Sequence, residues 1–309
     1  MPNEITEATT LIRDKRSDRS GETKPRYWGV VATVIYLVVL ASVGAKAADA
    51  APMAYVTNSG SADVSVVDTA TKAVLTTISV GLTPEQIAVA PNGLRAYVAN
   101  SGSNTISVID TATNTVVGSP IPVGFNPVGI TITQNGLRAY VTNQGSNTVS
   151  VIDTATNTVV GSPIPVGSSP AGIAITPNGA FAYVANFVSN TVSVIATATN
   201  TVVGSPIPVG ERPDFLAVGP DGVSVYVPNQ TSNTVSVIAT ATNSVVGSPI
   251  PVGTLPTGAA FSPATSPGIP TLSDGALLLL LVVMGTALAL RMTGRPMVSR
   301  LRRPPTICS

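Results

Sequence analysis

The sequence predicts an all-β fold assembled from tandem copies of one four-stranded unit, and three observations carry that prediction. Charged residues make up only 10% of the 309-residue chain, against roughly 25% in an ordinary globular protein. Val, Thr, Ala, Ser, Gly and Asn take their place, a mixture poor in helix formers and rich in β-branched and turn residues. Tyr55, Tyr97, Tyr140, Tyr183 and Tyr226 recur at spacings of 42, 43, 43 and 43 residues, and Gly81, Gly124, Gly167, Gly210 and Gly253 recur every 43. The stretch 103–124 (SNTISVIDTATNTVVGSPIPVG) returns almost unchanged at 146–167, 189–210 and 232–253. Self-similarity on that scale is the mark of an array of one supersecondary unit.

The second copy shows the strands of the unit. Residues 84–90 (PEQIAVA) form an apolar strand, and Pro91-Asn92-Gly93 supplies a tight hairpin turn. A second strand follows at 95–99, a loop at 100–104, a third strand at 105–110, a turn at 111–114 and a fourth strand at 115–123. Four antiparallel strands in about 43 residues make one blade of a β-propeller. Pro120 and Pro122 lie in the fourth strand, with equivalents at Pro163/Pro165, Pro206/Pro208 and Pro249/Pro251. Proline cannot donate to a ladder, so the fourth strand is predicted at the outer edge and the apolar first strand innermost.

The phase of the repeat matters. The chain enters at a second strand (53–57) and leaves after a first strand (256–262). The expectation is therefore a five-bladed β-propeller of four-stranded antiparallel blades over 52–263, closed by the C-terminal inner strand 256–262. An open five-unit arc is the alternative, and closure is favoured because a ring leaves only short, protected edges. Tyr-Val-Thr-Asn at 55–58 and 140–143 and Tyr-Val-Ala-Asn at 97–100 and 183–186, each followed by a SNTVSVIDTATNTVV-like run and a Pro-x-Gly-Ile strand, resemble the YVTN-family β-propeller repeat. The resemblance covers 53–263 and implies an exported, surface-layer-like or cell-envelope protein. Members of that family commonly have about seven blades, so five copies are a departure.

Hydrophobic helices are expected on both sides of the repeats. After a polar N-terminal tail (1–26), residues 27–45 are uncharged, follow Lys24 and Arg26, and lead into Ala45-Lys46-Ala47 and Ala48-Asp49-Ala50. The basic flank, apolar stretch and small-residue sites read as a signal peptide or membrane anchor over 27–50. Downstream, a linker (264–274) precedes 16 uncharged residues at 275–290 and a basic tail (291–309) with five arginines. At 1.5 Å per residue that helix covers about 24 Å, a marginal span. Basic residues beside both helices predict cytoplasmic ends and place the repeats across the membrane. Ile269-Pro270-Thr271-Leu272-Ser273, the helix and the arginine cluster together resemble the IPTL-type C-terminal sorting signal of exported bacterial proteins. That resemblance implies recognition by sorting or processing machinery during surface display.

Composition excludes several functions. Between Pro52 and Pro263 acids outnumber bases eight to four, so the basic stripe that nucleic-acid binding requires is missing. The chain has no histidine and a single cysteine, Cys308, which removes a Ser-His-Asp triad, a histidine haem ligand and a Cys-x-x-Cys-His attachment. No cofactor or metal is expected. Asp68, Asp110 and Asp153 occupy one position of the repeat, where Ala196 and Ala239 stand in the last two copies. They read as Asx-turn acceptors and not as calcium ligands, since no further acid lies at loop-ligand spacing. The repeat tyrosines read as wedges between blades.

Copies differ most in the loop between the outer strand and the next inner strand, and next in the loop between the second and third strands. Both are predicted on one rim, with Glu85, Phe125, Glu211, Arg212, Asp214 and Phe215 its most distinctive members. The reading is a non-catalytic module that binds or displays an unknown protein or glycan at this rim. A surface-layer-like coat subunit is the first alternative and a lactonase-like or dehydrogenase-like propeller enzyme the second.

Overall fold

The computed structural model describes residues 52–262. The expected segment 27–50, the motif 269–273, the helix 275–290 and both tails lie outside the described residues. Among the described residues no helix is long and apolar enough to cross a membrane. Two compact units are distinguished, one containing 53–56 and Ser65–Thr77, the other Thr57–Val64 and the chain from Ile78 onward.

Within the four larger sheets every paired strand is antiparallel to its neighbours. The first sheet is β1 (Met53–Asn58), β2 (Asp63–Asp68) and β3 (Val74–Ser79) in that order. The second holds β4 (Pro84–Val89), β5 (Arg95–Asn100), β6 (Thr105–Asp110), β7 (Thr115–Val116) and β8 (Ile121–Pro122). The third holds β9 (Pro127–Ile132), β10 (Arg138–Asn143), β11 (Thr148–Asp153), β12 (Thr158–Val159) and β13 (Ile164–Pro165). The fourth holds β14 (Pro170–Ile175), β15 (Phe181–Asn186), β16 (Thr191–Ala196), β17 (Thr201–Val202) and β18 (Ile207–Pro208). The fifth holds β19 (Ala217–Val218), β20 (Ser224–Asn229), β21 (Thr234–Ala239), β22 (Ser244–Val245) and β23 (Ile250–Pro251).

The outer strand differs from its sequence expectation. In place of one strand over 115–123, two short pieces, β7 and β8, both pair with β6. The break falls at Gly118, whose φ of 71° is left-handed, and Pro120 and Pro122 contribute no N–H groups to a ladder. The first repeat tests this explanation internally. Its corresponding run, VLTTIS, has neither glycine nor proline, and β3 is continuous over six residues.

Among the described residues, three apolar joints of one design hold the second to fifth sheets together. Tyr97, Ala99, Ile106, Val108 and Ile121 of the second sheet pack on Ile130, Ala139, Val141 and Ile152 of the third. Tyr140, Val149, Val151 and Ile164 pack on Ile173, Ala182, Val184 and Ile195. Tyr183, Ala185, Val192, Val194 and Ile207 pack on Leu216, Val225, Val227 and Ile238. The second to fourth sheets thus present a forward face built on Tyr, and the third to fifth a backward face built on Ile130/Ile152, Ile173/Ile195 and Leu216/Ile238. Inner strands approach closely as well: a Cβ on Gly129 would lie 2.3 Å from the Ala171 carbonyl oxygen, so this position requires glycine.

The buried tyrosines do fill the wedges, and each phenol also finds a partner across its joint. Tyr97, Tyr140 and Tyr183 donate to the side-chain oxygens of Asn157, Asn200 and Asn243 at 2.9, 2.6 and 2.5 Å. Burial pushes the Tyr183 phenol up to about 12. Asn243→Ala, which removes the acceptor of the part-buried Tyr183 hydroxyl, is expected to lower stability by about 1–2 kcal/mol in urea titration. Tyr183→Phe, which removes the donor as well, is expected to cost less.

The expected inner strand 256–262 forms no regular strand among the described residues; Gly258 makes a parallel bridge with Phe215 of the fifth repeat, and the first sheet has three described strands. Phe215 N donates to Thr257 O at 3.0 Å, Ala259 N donates to Phe215 O at 3.3 Å, and Phe261 meets Tyr226 edge-on with ring centroids 5.2 Å apart.

Candidate ligand-binding rim

The two variable loop sets are brought together in each of the four larger sheets. Ser101 N and Gly102 N donate to Thr83 O and Leu82 O at 2.9 and 3.0 Å, and Leu82 N donates to Ser103 Oγ at 2.7 Å. The same pattern joins Gln144 and Gly145 to Asn126 and Phe125, Phe187 and Val188 to Ser169 and Ser168, and Gln230 and Thr231 to Arg212 and Glu211.

One residue of each entering loop is left-handed: Thr83, Asn126, Ser169, Arg212 and Leu255 have φ of 51°, 52°, 57°, 53° and 52°. Non-glycine residues seldom adopt this conformation, and it carries strain for Thr, Arg and Leu. In four of the five an asparagine from the repeated SNT triplet holds it in place. Asn104, Asn147, Asn190 and Asn233 accept through Oδ1 from the backbone N–H of residues 126, 169, 212 and 255 at 2.8, 2.7, 2.9 and 2.8 Å. The invariant part of the unit therefore sets the backbone of the variable part, and the exposed side chain is free to differ from blade to blade.

The predicted rim residues do not form one cluster. Glu85 is exposed at the start of β4, where Ser101 Oγ lies 3.4 Å from its carboxylate. Phe125 is 69% exposed. Glu211 is exposed and its N–H donates to Ser232 Oγ at 2.8 Å. Arg212 lies over the ring of Phe187, 5.5 Å from its centroid, a cation–π contact that bridges the fourth and fifth sheets. Asp214 is nearly buried, and desolvation pushes its carboxyl up to about 6 against a hydrogen bond from Phe215 that favours the charge. Phe215 is half-buried, and its Cα lies where a side chain on Gly172 would begin, 2.6 Å away. The densest group is thus 211–215 with Phe187; Glu85 and Phe125 belong to separate loops.

Phe187 was visible in the sequence as a variable-loop residue, and its contact with Arg212 needed the fold. No group of three or more acidic, histidine or cysteine side chains that could hold a metal occurs among the described residues.

The opposite ends of the strands carry structural chemistry. Asp68, Asp110 and Asp153 accept from the backbone N–H groups two and three residues on, at 2.7–3.1 Å. Arg95 and Arg138 pair with Asp110 and Asp153 directly across the β5–β6 and β10–β11 ladders. Backbone donation from Thr113 and Thr156 leads in holding Asp110 and Asp153 below the usual carboxylate range. The stability these carboxylates add is present above about pH 4 and is lost as pH falls through their folded values. Where Phe181 and Ser224 replace the arginine, Ala196 and Ala239 replace the aspartate. A groove of about 380 Å³ between Gln134, Asn135, Arg138, Pro177 and Thr197 also lies at this end, away from the rim.

The comparisons agree on the fold. Residues 154–248 match a family model described as lactonase, 7-bladed β-propeller. Among solved structures, hydrazine synthase of Kuenenia stuttgartiensis is similar, with 30% identity and a TM-score of 0.50 over 53% of this chain and 48% of that one. The chain thus spans about half the length of that protein. A functionally unknown protein from Desulfotomaculum acetoxidans DSM 771 is similar with 19% identity and a TM-score of 0.61, covering 67% of this chain and 68% of the other. No curated protein matches the chain. The protein is an all-β chain of the β-propeller class.

Proposed function

We propose that the protein is an exported, envelope- or surface-associated β-propeller that binds or displays at its loop rim and does not catalyse. In this reading it is a YVTN-type repeat protein with an IPTL-type sorting tail. The observation that carries the binding reading is the division of labour at the rim. Repeated asparagines clamp the loop backbones, while the presented side chains change from blade to blade. Such a surface suits recognition of a protein or glycan, with the group Phe187, Glu211 and Arg212 offering an aromatic face and both charges. Export and anchoring rest on the segments 27–50 and 264–309.

The test uses the full chain against envelope extract and a glycan array. Joint substitution of Glu211, Arg212 and Asp214 by alanine is expected to weaken a retained ligand by tenfold or more, of the order that two lost polar contacts produce. Undiminished binding would move the site off this rim. Mass spectrometry of the mature termini in fractionated cells tests the sorting proposal: a chain that keeps 264–309 and stays in the cytoplasm counts against it.

An enzyme is the second reading, favoured by the match to a lactonase-type family over 154–248. Asp214 is the rim carboxylate whose ionisation falls near neutrality, as a general base requires. Turnover of a lactone panel that disappears in Asp214→Asn would replace the binding reading with this one.

A further inference from the structure

We infer that the groove between the third and fourth sheets, at the strand ends opposite the rim, binds a carboxylate-bearing sugar, a uronate unit of an acidic glycan. The copies are nearly identical, and this groove arises where one of them departs from the rest. The hairpin turn after the inner strand begins with proline at Pro91, Pro177 and Pro220, and with Gln134 in the third sheet. At the neighbouring joints that proline reaches the turn glycine of the next sheet. A Cβ on Gly136 would lie 3.8 Å from Pro91 Cδ, and one on Gly222 would lie 3.2 Å from Pro177 Cδ. A Cβ on Gly179, opposite Gln134, would meet nothing within 4 Å. The opening there is about 380 Å³, within the size range of small-molecule sites.

The lining names the ligand class, because it is rich in donors. Asn135 and Asn178 spend Oδ1 inside their own turns, accepting from Leu137 N and Ala180 N at 3.0 Å and from Thr133 Oγ1 and Thr176 Oγ1 at 2.7 Å. Those bonds set which way each carboxamide faces, and neither Nδ2 donates to another described residue. Arg138 donates to Leu137 O and to Asp153 through Nη1 alone, so its other N–H groups remain for a ligand. The Gln134 amide completes the set. Donors in this excess select a ligand rich in acceptors, and a carboxylate on arginine is the strongest such pairing. Asp153 offsets the Arg138 charge, so a bare anion gains little here. A sugar ring adds hydroxyl oxygens for the amides and a carbon face for the Pro177 ring. Among the second to fifth sheets, arginine and the opened turn coincide only here: Arg95 stands beside Pro91, and Phe181 and Ser224 replace the arginine. The site lies apart from the rim and does not depend on what the rim binds.

Titration of the full chain with D-glucuronate, read by saturation-transfer NMR, tests the site. The expected dissociation constant is on the order of 1 mM, as suits a ligand of one ring. Glucose, which lacks the carboxylate, and acetate, which lacks the ring, are expected to bind about tenfold more weakly. Gln134→Pro restores the residue of the other turns, with threonine before it as at Thr176-Pro177. It is expected to leave the urea midpoint in place and to abolish glucuronate binding. Arg138→Ser combined with Asp153→Ala reproduces the Ser224/Ala239 pair of the fifth sheet. That double variant is expected to weaken glucuronate by about tenfold and so erase its preference over glucose. Saturable binding that survives Gln134→Pro would overturn the proposal. So would glucose or acetate binding as tightly as glucuronate, or no saturable binding of glucuronate by the parent chain.

Discussion

Ile195→Ala is expected to destabilise the protein by about 2–5 kcal/mol, the range for truncating a fully buried isoleucine in a core that collapses only partly. Its side chain is 0% exposed and sits in the joint where Tyr140, Val149, Val151 and Ile164 meet the next sheet. Because that joint is formed by side chains from two blades, the cavity is expected to loosen both, and the urea midpoint should fall well below that of the parent. Ile250→Ala supplies the internal comparison. Ile250 is 45% exposed, so in dilute solution it is expected to cost less than about 1 kcal/mol. Equal losses at the two sites would mean that the joints are not what holds the blades.

Asp214→Asn is expected to stabilise the chain, and only above acid pH. The folded carboxyl titrates at about 6, raised from 3.8 by burial. Below the unfolded value the group is protonated in both states and burial carries no penalty. As pH rises from about 4 to 6 the unfolded chain ionises first, and the advantage of the buried neutral acid is lost. Above 6 the folded state holds a desolvated charge, a penalty of up to about 3 kcal/mol for a shift of roughly two pH units. The amide escapes it, so melting curves of parent and variant should coincide near pH 4 and separate by pH 7. A constant offset at all pH values would assign the effect to packing.

Much of this architecture is legible in the sequence, because strand and turn signals repeat. The second and third strands appear where alternation and the Asn-Gly turn predict them. The loops nominated as a rim are hydrogen-bonded partners in each larger sheet. The break in the outer strand was also written there, in Gly118 and its prolines, yet a run of apolar residues around them reads as one strand. The Arg–Asp pairs show what register adds: Ala196 and Ala239 look like simple losses until β15 and β20 are aligned with their neighbours, and Phe181 and Ser224 prove to stand opposite. Asp214 carries no sequence mark of its burial, which arises from the approach of Gly172 to the backbone beside it. The contact of 256–262 with Phe215 was the least legible element, because a single parallel bridge between successive repeats leaves no mark in either stretch of sequence.

The sameness of the three joints bears on how the protein would respond to force. Load applied at the carboxyl end would meet the fifth sheet first, and its loss would uncover a fourth sheet with an almost identical forward face. Rupture would then advance stepwise toward the amino end at nearly constant tension, each step freeing one repeat of 43 residues, a contour of roughly 150 Å. A chain so made yields gradually under tension, as a line of equal stitches does.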